Sequence, residues 1–141
     1  MATAHVKYLG GLRTEATHLR SGNKLITDAP VDNQGKGEAF SPTDLLATAY
    51  ASCILSITGM AAQTHGFDIT GAEITVTKVM GTNPRRIVEL NMEIVLPHDD
   101  YSPKHKKMIE QVVKTCPVYN SLNPEIKKEI KFTYRNQQAI N

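Results

Sequence analysis

A chain of 141 residues, 40% hydrophobic and 21% charged, is long enough for one domain with a buried core, taken here as residues 1–141. A formal net charge of +2, with no basic run interleaved with aromatics, argues against nucleic acid as a partner. Two widely spaced cysteines, and an N-terminus with no apolar leader segment, predict a cytoplasmic protein whose thiols are free or transiently oxidised rather than a structural staple.

Residues 2–28 predict a β-meander. AHVKYL and LRTEATHL alternate around a Gly10-Gly11 turn, and Ser21-Gly22-Asn23 leads into a short third strand in KLITDAP. Residues 29–41, rich in Gly and polar side chains, read as a loop of the kind that carries function.

The stretch from Phe40 to Gly66 predicts a long helix. Ser41 suits the cap, Pro42 the first position and Asp44 the first turn, while Gly66 supplies the stop. Its apolar residues cover nearly the whole circumference, which predicts burial on all sides. At roughly 36 Å such a helix is long for a small domain, so a partner is expected to cover part of it. Ser, Thr, Tyr and Gln within it, and the lack of a flanking positive bias, argue against a membrane span.

After Gly66 the period changes to two. Ile69, Ala72, Ile74 and Val76 line one face of a first strand. In RRIVELNMEIVLP the set Val88, Leu90, Met92, Ile94 and Leu96 is expected to face the core, with Ile87, Glu89, Asn91, Glu93 and Val95 outside. The two strands form a long hairpin. Ser102-Pro103 starts an amphipathic helix, SPKHKKMIEQVVKTC, whose C-terminal end carries Cys116 on or near the apolar face before Pro117 breaks it. A short turn in PVYNSLN, a closing strand ending in IKFTY and frayed last residues complete an α+β pattern.

Few residues in this chain offer chemistry. The five histidines show no metal-ligand spacing, GGLRTE and GKGEAF lack the pattern of a phosphate loop, and Ser41, Ser52 and Ser56 have no nucleophile-elbow context. No metal and no bound cofactor are expected. Cys53, mid-helix among apolar residues, reads by itself as a small buried hydrophobe, and so does Cys116. If the two faced one site, they would support peroxide reduction through a sulfenic acid resolved to a disulfide. A reactive Cys53 would need a cation, for which Arg13, Arg20, Lys36 and His18 are candidates, each with an ordinary reading as a solvated surface group.

FSPTDLLA followed by YASC at Cys53, together with Cys116-Pro117-Val118 after an amphipathic helix, resembles the OsmC/Ohr family of thiol-dependent peroxidases, and the element order matches over nearly the whole length. The resemblance implies an intertwined homodimer with the long helices at its centre and active sites at the subunit interface. It implies that Cys53 attacks an organic hydroperoxide in oxidative-stress defence, and that Cys116 resolves the product to a disulfide. It also implies an external dithiol, such as a lipoylated protein, as reductant. An apolar lining from Leu46, Tyr50 and Ile54 leans the same way, towards organic peroxides.

One departure stands out. Peroxidase-active members carry a Glu directly after the proline of the helix-start motif, and it holds a loop Arg against the reactive thiol. Here Thr43 occupies that place and Asp44 follows, rotated by about 100° around the helix. The loop before the helix holds no Arg, so Arg13, just after the Gly10-Gly11 turn, is the candidate for activating Cys53. The departure also motivates an alternative: a weakly active or non-catalytic dimer that senses redox state or holds a small ligand.

Overall fold

Alternating side chains and paired glycines set up the first sheet. The computed structural model describes residues 1–136. Its residues divide into two compact units, one of residues 1–46 and one from Ala47 onward. In the first, β1 (Ala4–Gly10), β2 (Arg13–His18) and β3 (Lys24–Asp28) form an antiparallel meander in the order β1-β2-β3, as expected. Gly10 and Gly11 both adopt positive φ, the conformation their turn requires. The register places Arg13 opposite Asp28 and Thr17 opposite Lys24. The following loop contains a 3-10 turn at Val31–Asn33. It doubles back so closely that a Cβ on Gly35 would collide with the Ala29 carbonyl.

The long helix α1 (Pro42–His65) starts in this unit by a reciprocal cap. Asp44 N–H donates to Ser41 Oγ at 3.0 Å, and Ser41 N–H donates to Asp44 Oδ2 at 3.0 Å. This is a capping box with Asp in place of the usual Glu or Gln. At the other end Gly66, at φ 77°, closes the last turn by donating to the Ala62 carbonyl.

In the second unit β4 (Glu73–Gly81) and β5 (Arg86–Leu96) form the expected hairpin, and β6 (Lys127–Tyr134) lies parallel to β5 on its other side. Between β5 and β6 run α2 (Pro103–Val112), a 3-10 turn at Val113–Thr115 and the short α3 (Pro117–Ser121). Ser102 caps α2 as predicted, accepting from His105 N–H at 3.1 Å. Ala47, Tyr50, Ala51 and Ile54 of α1 join Leu90, Met92, Ile94, Leu96, Ile109, Val113 and Cys116 in one core.

Three expectations are corrected. α1 is not buried on all sides within the chain: only Ala47, Tyr50, Ala51, Ile54, Thr58 and Ala62 are buried, a single stripe at helical spacing. Ile87 belongs to the core and Val88 does not, because the β4–β5 register shifts between Val79 and Met80 and so flips the alternation at the start of β5. Cys116 does not end α2, which stops at Val112; it sits in extended backbone and caps α3. The expected fraying concerns residues 137–141, outside the described residues. By length and composition α1 is long and apolar enough to cross a membrane, yet its Tyr50–Ile54 stripe is part of the second unit's core.

Candidate active site

Cys53 lies in the middle of α1, partly exposed, on the flank of the buried stripe made by Tyr50 and Ile54. Cys116 is brought to it from the far end of the chain. α2 tightens into its 3-10 turn, the backbone extends at Cys116, and Pro117 takes the first position of α3. Cys53 and Cys116 are joined as a disulfide with Cα atoms 6.1 Å apart, across a sequence separation of 63. No cysteine is left free. The pairing that the motifs implied is therefore the one the fold makes.

The surroundings of the two sulfurs differ. Cys116 is fully buried, and its Sγ accepts the Tyr119 N–H at 3.4 Å as the cap of α3. Cys53 is eleven residues into α1, beyond the reach of that helix's own N-terminal dipole. One turn before it stands Tyr50, fully buried, with its ring 6.2 Å from that of Tyr119. The Tyr50 hydroxyl has no hydrogen-bond partner among the described residues, and burial pushes its pKa up to about 12. Lys128 Nζ lies 5.1 Å from the centre of the Tyr119 ring, a cation–π distance. A cavity of about 230 Å³ lies alongside, lined by Tyr50, Val113, Tyr119, Lys128, Ile130 and Phe132 among others.

Several candidate groups of the first unit are engaged. The Arg13 guanidinium grips Asp28 as a fork, Nε to Oδ1 at 2.7 Å and Nη2 to Oδ2 at 2.8 Å, and reaches Glu38 at 3.4 Å. Asp28 is 1% exposed and also accepts the Glu38 N–H at 3.1 Å. The hydrogen bond from Arg13 holds its carboxyl below the usual carboxylate range, with the Glu38 amide and Lys36 acting in the same direction. Asp44 closes the cap of α1, and Thr43 Oγ1 lies 3.2 Å from Ser41 Oγ. His18 meets Ser21 Oγ on the surface. Among the described residues no group of three or more His, Cys, Asp or Glu could hold a metal ion.

Sequence reading missed Asp28 and Tyr119. Asp28 was within reach, since an antiparallel β2–β3 register puts it opposite Arg13. Tyr119 was not, because its role depends on a helix start that only the folded backbone reveals.

A family model described as OsmC-like protein matches residues 35–131. The chain belongs to the OsmC-like family. The match spans the helix-start motif, Cys53 and Cys116. A protein of Psychrobacter arcticus 273-4, provisionally described as an osmotic stress induced and detoxification response protein, is 49% identical. The match covers 94% of this chain and 96% of that one, with a TM-score of 0.89. The OsmC organic hydroperoxide resistance protein of Legionella pneumophila is 17% identical over 94% of this chain and 98% of its own, with a TM-score of 0.74. An organic hydroperoxide resistance protein of Elizabethkingia anophelis is 15% identical over 96% and 98%, also with a TM-score of 0.74. At those identities the last two establish the shared fold. No curated protein matches the chain. The OsmC-like fold thus brings together two cysteines from distant parts of the sequence, and their surroundings are unequal.

Proposed function

We propose that this OsmC-like protein is a two-cysteine peroxidase that reduces organic hydroperoxides at the expense of an external dithiol. The observation that carries this reading is the Cys53–Cys116 pair, one residue partly exposed and one fully buried, in a core built from both halves of the family motif. The Cys53 thiolate attacks the terminal peroxide oxygen, the O–O bond breaks and the alcohol leaves. Cys53 is then a sulfenic acid. The Cys116 thiol attacks its sulfur, water departs and the disulfide forms. A dithiol, such as one carried on a lipoylated protein, returns both cysteines to thiols. In this reading Arg13, held by Asp28, is kept as the candidate cation for Cys53, and Asp44 contributes only through the start of α1. The reading includes a cytoplasmic homodimer with no bound cofactor and no role for nucleic acid or membrane.

A second reading has its own observation. Thr43 stands where peroxidase-active relatives carry Glu, and Asp44 is committed to the helix cap. That favours a slow redox sensor or a small-ligand binder on the same fold. The test is intact mass after a substoichiometric dose of tert-butyl hydroperoxide, followed by turnover with dihydrolipoamide. Rapid loss of two hydrogens per chain with sustained turnover supports the peroxidase. Slow, single-turnover oxidation supports the sensor and removes the peroxidase reading.

A further inference from the structure

We propose that the Cys53–Cys116 disulfide is opened from the Cys53 side, with the incoming dithiol bonding to Cys53 and Cys116 leaving as the thiolate. The inference deepens the peroxidase reading, because it specifies how that cycle closes. Thiol–disulfide exchange proceeds in line: the nucleophile, the attacked sulfur and the leaving sulfur share one axis. Two independent features of the site choose between the two possible directions.

The first is access. Cys116 is 0% exposed and packed in the core with Ile109 and Val113, whereas Cys53 is partly exposed on α1. In-line attack needs an open far side on the attacked sulfur; within the chain Cys53 keeps some exposure and Cys116 keeps none. To reach Cys116 a thiolate would have to displace core side chains.

The second is the leaving group. The sulfur that departs with the electron pair leaves faster the better its thiolate is stabilised. Burial by itself disfavours charge on the Cys116 sulfur, and the Tyr119 N–H that Cys116 Sγ accepts offsets that cost, with Pro117 at the first position of α3 fixing the backbone that aims it. Cys53 lies too far along α1 to draw on its dipole.

The step balances. The first thiolate of the reductant forms a bond to Cys53 Sγ, the Cys53–Cys116 bond breaks, and its electron pair goes to Cys116 Sγ. The second thiol of the reductant then attacks the sulfur of its own molecule in the mixed disulfide and expels Cys53. The dithiol becomes a disulfide, the protein gains two electrons, and the two protons from the dithiol become available to the Cys53 and Cys116 thiolates. One monothiol molecule supplies only the first half, so an adduct on Cys53 is present until a second molecule or Cys116 attacks it, and early quenching captures it.

The experiment uses the full chain oxidised by diamide, which forms the disulfide without peroxide. The oxidised protein is mixed with 2-mercaptoethanol, quenched with acid at short times, blocked with N-ethylmaleimide and mapped by peptide mass spectrometry. The expected product carries mercaptoethanol on Cys53 and maleimide on Cys116, exceeding the reverse product by roughly tenfold or more when extrapolated to early time. An even split, or mercaptoethanol mainly on Cys116, overturns the inference and leaves the peroxidase reading standing. Adducts on Cys53 in a protein that peroxide fails to oxidise uphold the inference and overturn the peroxidase reading. Failure of diamide to form the disulfide overturns both.

Discussion

The Arg13–Asp28 fork makes a buried carboxylate depend on one guanidinium. The Asp28 carboxyl titrates below its ordinary value because Arg13 hydrogen-bonds its charged form. A folded-state pKa below the unfolded value, about 3.9 for Asp, means the unfolded chain binds the proton first as pH falls. The stabilisation is therefore complete above that value and is lost as pH drops through the folded one. Asp28→Asn should lower the melting temperature at pH 7 and flatten its dependence on pH below about 4. Arg13→Lys should also melt lower, since an ammonium cannot reproduce the fork. Equal melting curves for all three proteins at pH 7 would remove Asp28 from the account. Tyr50 argues in the opposite direction. Its fully buried hydroxyl lacks a partner among the described residues, so Tyr50→Phe should raise stability by about 1 kcal/mol in urea titrations. Burial raises the Tyr50 pKa to about 12, so the wild type loses stability as pH climbs from the unfolded value near 10 towards 12. Tyr50→Phe should lose less over that range. Arg13 could be singled out in the sequence because it follows a glycine turn; its carboxylate partner required the strand register.

Two elements show where periodicity stops being informative. In SPKHKKMIEQVVKTC the apolar spacing runs past the end of α2, so Cys116 reads as the last residue of a helix when it is the cap of the next. Pro117 is compatible with both, since proline ends one helix as readily as it starts another. In β5 a strict two-residue alternation misplaces Ile87, because a register shift adds a residue that no alternation can foresee. The caps of α1 and α2 and the turns of the first sheet were legible because they are local. The cap at Cys116 has a measurable consequence. With all proteins fully reduced, Cys116→Ala should cost on the order of 1–2 kcal/mol, from the lost buried sulfur and the lost acceptor for Tyr119 N–H. Cys116→Ser keeps an acceptor and should cost clearly less. Identical losses for Ala and Ser would mean the cap is idle. The oxidised wild type should resist urea better than the reduced by up to about 4 kcal/mol, the chain-entropy value for closing a separation of 63 residues.

At the scale of the whole molecule, the chain shows more apolar surface than a self-contained one needs. A helix apolar nearly all round was visible in the sequence, yet the chain buries a single stripe of it and leaves Met60 60% exposed. Every residue of β1 is exposed, including Val6 at 61% and Tyr8 at 63%, and so are Leu12, Leu25 and Phe40. Scattered exposed leucines need no explanation, but apolar side chains concentrated on one helix and one three-stranded sheet do. A second copy of the chain is the economical cover, because a symmetric pair can hide the same surfaces on both partners at once. A bilayer is a poorer cover, since α1 would have to leave the core that Tyr50 and Ile54 share with β5. Sedimentation velocity at micromolar concentration should therefore give a species of twice the 15.5 kDa chain. Met60→Lys and Tyr8→Lys should shift it towards the single chain by placing charge on the exposed apolar surfaces that a second copy would cover. If the active sites need the partner, peroxide turnover by these variants should fall with protein concentration as the dimer dissociates, while the wild type keeps constant specific activity over the same range. A wild-type chain that sediments at 15.5 kDa and still turns over peroxide would show that one copy suffices, and that the exposed apolar faces serve some other contact.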